Sequence, residues 1–365
     1  MVIRVVDLCV EELTRAFEAN TYRDPQKHLA IAKLLAELYN YEMVSSAVIF
    51  TCLNNAIDKG HSVAPQLKTE RPKDLTSELA SIGDKRAAEA AAKVAREEYG
   101  SWLATMETLR LEAEKARLER EEAEEKRRAA GAVDDETAAE AFERELMNQG
   151  AEDEALTPAV PDDDWLKDAP PAPPIPPQVG AMPLPWWVVS DPRVPSESDP
   201  PDDMFRVQLC VTMLQTCGAY FTAGANRVRL VRFLHKLQRY LFCKPDPPRS
   251  VEFAVLDLID EMEMQMRKLD LKKETKRFEK QYGIAPPASS PKKGKKSEKA
   301  AVSLKPGAPP PPTLQSMAVP VERFQNWEDS QLLIERMDMA DAEARCNTAL
   351  FKLKKEAEAA EAAKA

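Results

Sequence analysis

One predicted helix constrains the fold more than any other stretch, because apolar residues occupy nearly every side of it. This helix follows the corner at Tyr39 to Tyr41, and its apolar positions are Met43, Val44, Ala47, Val48, Ile49, Phe50, Cys52, Leu53, Ala56 and Ile57. Such a helix is stable only when neighbouring elements cover most of its surface. The sequence therefore predicts a central helix, with Gly60 forming a left-handed cap at its C-terminal end.

A similar helical pattern returns at 204–221 and 226–243, after an interruption of about 140 residues. Neither half can bury its apolar faces alone, so we expect the two halves to pack together around an insertion. The predicted organisation is a first domain part at 1–60, an insertion at 61–203, a second domain part at 204–282, a basic and Pro-rich linker at 283–320, and a C-terminal helix at 321–365.

Short motifs run in order through five of the predicted helices. They include Val5-Val6-Asp7, Ala36 to Tyr41, Ser46 to Phe50, Leu214 to Gly218 and Gln238 to Tyr240. These motifs resemble the third middle-of-initiation-factor-4G domain of the up-frameshift two family, the scaffolds of nonsense-mediated mRNA decay. The resemblance covers 2–60 and 203–268. It implies an all-α fold, a right-handed stack of helical hairpins of the HEAT-like repeat type, interrupted by the long insertion.

The resemblance also implies partners. In this family the domain binds the RNA-recognition fold of the up-frameshift three protein, with acidic residues of the domain facing basic residues of the partner. The C-terminal region of the family engages the up-frameshift one helicase, although no motif here assigns residues to that contact. The candidates for the first contact are Asp7, Glu11, Glu12 and Glu37. A solvated acidic helix face is the alternative interpretation.

Two departures from the family pattern bear on this interpretation. An acidic residue usually follows the Met-Val pair in the family, whereas this chain has Ser45, and Glu42 is the nearby residue that could replace the missing anion. The chain also opens abruptly relative to the family domain. A fragment, a shortened gene model and a diverged relative that keeps no partner are each consistent with that.

A second hypothesis is an RNA-binding, translation-factor-like module. Arg229, Arg232, Lys236 and Arg239 share one face of a predicted helix and could hold phosphates, while Glu252, Asp257, Asp260, Glu261 and Glu263 of the next helix could lie beside them. The net charge of −10 argues against bulk nucleic-acid binding. We therefore expect weak RNA binding at physiological salt.

Enzymatic chemistry is not indicated by the sequence. It contains no Gly-rich phosphate loop or nucleophile elbow, and His28, His61 and His235 are far apart. We interpret His235 as a surface residue, and the six cysteines as reduced core thiols. The sequence predicts no cofactor, metal or small-molecule substrate, and no membrane association. A cytoplasmic protein, perinuclear or shuttling to the nucleus, is the expectation.

The insertion is predicted to be a loop at 65–83 and then a charged, solvated helix at 84–130, with a break at Gly100-Ser101. A shorter helix is expected at 136–147. The Pro-rich stretch at 157–201, which contains Trp165, Trp186 and Trp187, is predicted to be disordered or polyproline-like. These tryptophans are predicted either to anchor a partner or to clasp the parent domain. The basic run Lys292 to Lys296 is interpreted as a solvated linker or a nuclear-import or RNA contact.

Overall fold

The computed structural model describes residues 2–19, 24–129, 169–176, 184–282 and 312–362. Within these ranges lie eight α-helices and no strand beyond isolated bridges. The helices are α1 (Val2–Ala19), α2 (Pro25–Asn40), α3 (Ser46–Asp58), α4 (Leu75–Ala129), α5 (Phe205–Cys217), α6 (Gly224–Phe242), α7 (Arg249–Tyr282) and α8 (Trp327–Ala362). The predicted all-α, HEAT-like class is confirmed.

Two compact units divide the chain. The first contains residues 1–78 and 182–365, and the second contains 79–181. The boundaries of the units fall inside the predicted insertion of 61–203. No helix in the described part of the chain is both long and apolar enough to span a membrane.

The predicted central helix is α3, which buries Ile49, Leu53 and Ala56 completely. Because α3 contacts α1, α2, α5 and α6, its burial on several sides is explained and the prediction is confirmed. Gly60 has φ of +89°, so its predicted left-handed conformation is confirmed. It does not cap the helix, because Lys59 before it is extended and His61 N–H donates to the Asp58 carbonyl at 3.2 Å, which closes a separate turn. Met43 was wrongly predicted to be covered, because it precedes α3 and its side chain is 52% exposed.

The two halves of the domain meet along α2 and α5. Helix α5 buries nine of its 13 residues, which is possible only because both halves cover it. The Asn40 Nδ2 atom donates a hydrogen bond to the Thr216 carbonyl at 3.1 Å, across 176 positions of sequence. At Gly218 an added Cβ would lie 2.8 Å from Met262 Sδ of α7, so a larger residue there would have to displace this methionine side chain.

A completely buried arginine joins the two halves at their polar centre. The guanidinium of Arg206, at the start of α5, donates hydrogen bonds to the carbonyls of Ala56, Lys59 and Phe17 at 3.1, 2.6 and 3.2 Å. These carbonyls lie near the C-terminal ends of α3 and α1, where helices leave carbonyl groups unpaired. A buried cation therefore ties the ends of two helices to the second half of the domain.

Asp199 supplies the negative charge that this cation needs. Its carboxylate lies 3.6 Å from Arg206 Nε and accepts hydrogen bonds from Tyr240 Oη at 2.6 Å and Lys244 Nζ at 2.7 Å. The His61 Nε2 atom lies 2.7 Å from the same carboxylate. Burial would raise the pKa of Asp199, but the hydrogen bonds and the charge of Arg206 outweigh it and lower the pKa to about 2.

The segments that precede and follow the second unit in the sequence belong to the first unit and pack within it. Ser62 forms an isolated bridge with Ser190, and Lys68 forms another with Leu184. Trp187 is only 9% exposed, and Trp186 lies under the Arg71 guanidinium at 5.1 Å. For Trp186 and Trp187 the structure favours the clasp on the parent domain, and the predicted disorder is therefore wrong for 184–201. Trp165 lies outside the described residues.

The second unit is described by most of α4 and by residues 169–176. The helix begins at Leu75, nine positions before the predicted start, and is continuous through Gly100 and Ser101. The predicted break is therefore wrong, because the glycine costs only about 1 kcal/mol relative to alanine and strong helix formers such as Glu97, Glu98, Leu103 and Ala104 lie on both sides of it. The predicted helix at 136–147 and the basic run at 292–296 lie outside the described residues.

We predict that residues 79–181 can be replaced by a Gly/Ser linker of about 12 residues without loss of cooperative thermal unfolding. The first unit contains the whole hydrophobic core cluster. Removing 61–201 instead should abolish the cooperative transition, because His61 and Asp199 would be lost. Thermal unfolding of both deletions is monitored by circular dichroism. A broad, non-cooperative transition of the 79–181 deletion would contradict the division of the chain into two independent units.

The low pKa of Asp199 predicts a pH-dependent contribution to stability. Because its folded-state pKa is below its unfolded value, the contribution is complete above about pH 4 and is lost as the pH falls through about 2. The loss is roughly 2 kcal/mol. In urea titrations, Asp199→Asn should be destabilised by about 3 kcal/mol at neutral pH, and the gap to the native protein should narrow below pH 4. A gap independent of pH would show that this carboxylate is not the titrating group.

Candidate functional site

The candidate acidic face consists of Asp7, Glu11 and Glu12 on α1, with Glu37, Glu42 and Ser45 where α2 ends and α3 begins. Helix α1 buries Leu13, Ala16 and Phe17 at the opposite positions of its turns. Asp7 and Glu11 are exposed, and Glu11 pairs with Arg15 at 2.8 Å along the same helix. Such an exposed pair contributes little to stability, so it leaves Glu11 available to a partner.

Glu12 has a different role from its neighbours in the acidic face. Its carboxylate accepts a hydrogen bond from Lys27 Nζ at 2.5 Å and another from Arg15 at 3.1 Å. The hydrogen bond from Lys27 and the lysine charge lower the pKa of Glu12. Because Lys27 lies at the start of α2, Glu12 links α1 to α2 and is less available to a partner than Asp7 or Glu11.

The corner between α2 and α3 presents Glu42 in an uncommon conformation. Glu42 N–H donates to the Tyr39 carbonyl and Met43 N–H donates to the Leu38 carbonyl, both at 2.9 Å. This is the hydrogen-bond pattern of a Schellman cap, in which the left-handed position is usually glycine. Glu42 has φ of +62° there, and its side chain is exposed. Glu37, one turn before the corner, accepts a hydrogen bond from Asn40 at 3.1 Å.

Ser45 is the N-cap residue of α3 and is exposed, but its side chain makes no capping hydrogen bond. An acidic residue at this position would lie at the positive end of the α3 dipole, which favours negative charge. The structure therefore offers a site for an anion that this sequence does not use. Glu42, on the same corner, is the nearest of the candidate carboxylates in sequence.

An apolar surface that was not predicted from the sequence lies beside this corner; it consists of Tyr41, Met43 and Tyr220, and we call it the aromatic corner. Their side chains are 73%, 52% and 62% exposed. The Tyr220 ring lies 6.4 Å from the Tyr39 ring, which places the end of α5 beside the end of α2. The signal available in the sequence was the Tyr-Glu-Met turn, since apolar residues that flank a capping turn lie outside both helices.

The four basic candidate residues of α6 differ in their exposure and in their interaction partners. Arg229 is exposed, whereas Arg232 pairs with Asp338 at 2.7 Å and also with Asp341. Lys236 lies 3.9 Å from Asp58, and Arg239 is buried against Gln331 at 3.0 Å. The expectation that acidic residues of α7 lie beside these bases is wrong. Asp260 and Glu263 pair instead with Arg323, and the acidic neighbours of Arg232 come from α8.

His235 was wrongly predicted to lie on the surface. It is 6% exposed, its Nε2 atom accepts the Glu322 N–H at 3.0 Å, and burial lowers its pKa to about 4. Five of the six cysteines are buried and all are free, and burial raises the pKa of Cys52 to about 11. Among the described residues, no three His, Cys, Asp or Glu side chains are grouped so as to hold a metal ion.

The stack of helices α1 to α3 and α5 to α7 defines an all-α domain of the HEAT-like class. The model of the MIF4G domain matches residues 1–121, a third of the chain. This match includes α1, α2, α3 and the larger part of α4. The predicted resemblance of residues 203–268 lies beyond it and stays a prediction.

Within this class, the chain is similar to regulators of nonsense transcripts. It is 41% identical over 68 residues to the regulator of nonsense transcripts UPF2 of Arabidopsis thaliana, which is 19% of this chain and 6% of that relative. It is 46% identical over 50 residues to regulator of nonsense transcripts 2 of Mus musculus and of Homo sapiens, which is 14% of this chain and 4% of each relative. The resemblance stated from the sequence is thus confirmed over a short part of the chain.

Glu42→Gly should stabilise the protein, because the left-handed conformation costs a non-glycine residue about 1 kcal/mol. Allowing for the greater unfolded-state entropy of glycine, we expect a net gain of about 0.5 kcal/mol in urea denaturation. Glu42→Ala is the matched control, since it removes the same carboxylate but keeps the Cβ atom. Equal stabilisation by both variants would attribute the effect to charge rather than to backbone conformation.

Proposed function

We propose that this protein is a scaffold of nonsense-mediated mRNA decay whose acidic face binds the basic surface of an RNA-recognition fold, that of an up-frameshift three protein. The observation that carries the proposal is the outward placement of Asp7 and Glu11 on α1, in the part of the chain that matches the MIF4G domain. The similarity to regulators of nonsense transcripts supports the pathway.

The chemistry of the surface fits a partner with a basic rim and an apolar centre. Carboxylates at the edge of an interface mainly accelerate association and exclude wrong partners, while buried aromatic side chains supply most of the affinity. The aromatic corner provides exposed aromatic rings and Met43 beside Glu37 and Glu42. The net charge of −10 also favours a basic partner.

A link to the up-frameshift one helicase is part of the same proposal and rests on the similarity alone. The proposed pathway also implies a cytoplasmic protein that is perinuclear or shuttles to the nucleus. It further implies a role without catalysis, and both implications rest on the similarity alone. The alternative of an RNA-binding module is less favoured, because three of the four basic candidates on α6 are already engaged by side chains of the domain.

The test is calorimetry with the up-frameshift three protein of the same organism. Asp7→Lys combined with Glu11→Lys should weaken binding by about 2 kcal/mol or more, because each change removes an attraction and adds a repulsion. The fold should survive, since exposed positions tolerate substitution within about 0.5 kcal/mol. Glu119→Lys with Glu121→Lys on α4 changes the net charge equally and should leave affinity unchanged.

Two further variants separate a docking site from a general charge effect. Ser45→Glu should strengthen binding, because it places an anion on the acidic face at the α3 N-terminus. Glu12→Gln should act mainly on stability, since it removes the hydrogen bond from Lys27. Unchanged affinity of the Asp7 and Glu11 double variant would leave the acidic face as a solvated surface and would refute the proposed contact.

A further inference from the structure

Two aromatic side chains of α4 form a ring pair in the second unit. The Tyr99 and Trp102 rings lie 5.7 Å apart, with an angle of 32° between their planes. Residues three and four positions apart share one side of a helix, so Met106 extends the same surface. All three side chains are partly buried. The middle of α4 therefore carries an aromatic surface that other residues of the chain cover in part.

A proline-rich segment of the same unit contacts this surface. The Trp102 Nε1 atom donates a hydrogen bond to the Pro170 carbonyl at 3.0 Å, across 68 positions of sequence. Five of the eight residues at 169–176 are proline, and the segment is neither helix nor strand. Proline fixes φ near about −65° and disfavours the helical region for the residue before it. A segment of this composition therefore adopts polyproline II.

The burial of the segment follows the period of polyproline II, which has three residues per turn. Pro173 and Pro176 are partly buried, whereas Pro174 and Ile175 between them are exposed. The exposure of Ile175 reaches 81%. One edge of the segment is therefore covered, and the other edge faces solvent.

The segment and the ring pair are chemically complementary. Proline has no N–H group and polyproline II makes no internal hydrogen bonds, so the segment offers carbonyl acceptors and few donors. The indole of Trp102 is a donor that accepts no hydrogen bond. Aromatic side chains also pack well against proline rings, which is how aromatic-lined grooves of unrelated domains bind proline-rich peptides.

The contact is of a kind that a second proline-rich segment can displace. The hydrogen bond from Trp102 is exposed to solvent, and so is Pro170. A segment of the same chain competes for such a site at an effective concentration of about millimolar at most. A partner that presents the same polyproline II edge therefore meets a site that is occupied but not closed.

We propose that Tyr99 and Trp102 form a binding site for polyproline II segments, and that residues 169–176 occupy it in competition with a proline-rich segment of a partner protein. The internal segment keeps the affinity for the partner low until it is displaced. The site lies in the second unit and the acidic face lies in the first, so the inference does not depend on the proposed scaffold function.

The experiment measures binding of the fluorescein-labelled peptide Ala-Pro-Pro-Ala-Pro-Pro-Ile-Pro-Pro to the full chain by anisotropy. The serine variant removes the competing segment and keeps the length and net charge of the chain; it combines Pro170→Ser, Pro171→Ser, Pro173→Ser, Pro174→Ser and Pro176→Ser. It should bind the peptide at least about tenfold more tightly than the native protein, because the intramolecular competitor is lost.

Substitutions of the indole in the serine variant locate the site. Trp102→Phe keeps an aromatic ring but removes the donor, so it should weaken peptide binding by about fivefold. Trp102→Ala should abolish binding. Trp186→Ala is the matched control, because it removes an indole from the first unit, and it should leave the affinity unchanged.

The contact within the native chain has its own measurement. The Trp102 indole N–H resonance in a ¹H–¹⁵N spectrum, assigned by its loss in Trp102→Phe, should shift between the native protein and the serine variant. An unchanged resonance would show that the segment does not bind Trp102 and would overturn the proposal.

The binding data can overturn the proposal in three further ways. Equal affinity of the native protein and the serine variant, or no binding by either, would show that the segment does not compete for a polyproline site. Binding that survives Trp102→Ala, or equal binding of a peptide with alanine in place of proline, would refute the assigned site or its ligand. Dimers in light scattering that form with the native protein but not with the serine variant would show pairing between copies, and would refute the assignment to a partner protein.

Discussion

The pairing of Arg206 with Asp199 is the contact on which the rest of the first unit depends. Both side chains are completely buried, and together they reach the ends of α1 and α3, the loop before α5, and α6 through Tyr240 and Lys244. A buried ion pair is weak evidence for stability by itself, but losing either partner leaves an uncompensated charge. The pair therefore specifies one arrangement of four separate segments and penalises others.

This arrangement determines which side chains are exposed at the candidate site. Because α2 is fixed along α5, the corner after α2 projects from the domain with Glu42 in a left-handed conformation and Tyr41 and Met43 exposed. Backbone strain of this kind persists only when the surrounding structure determines it, and such strain is common at functional sites. Two surfaces with opposite charge result: an acidic one on α1 with the α2 to α3 corner, and a basic one on α6.

The charged side chains of the two surfaces have ion-pair partners from different parts of the chain. The acidic face is paired mostly within α1 and α2, by Arg15 and Lys27, so its outer carboxylates remain open to a partner. Among the basic residues of α6, Arg232 pairs with Asp338 and Asp341 of α8, which come from a distant part of the sequence.

The sequence by itself determined the helical class, the central position of α3, the left-handed conformation of Gly60 and the pairing of two distant halves. Each follows from local periodicity or from an apolar face too large to remain exposed. Only the tertiary structure decided the partners of charged and polar side chains: that His235 is buried, that Glu12 binds Lys27, and that Arg232 meets α8 rather than α7. Apolar burial needs only the right face of a helix, which periodicity records. Charge pairing needs two particular side chains within about 4 Å, and that distance is set by the packing of segments that can be more than a hundred residues apart.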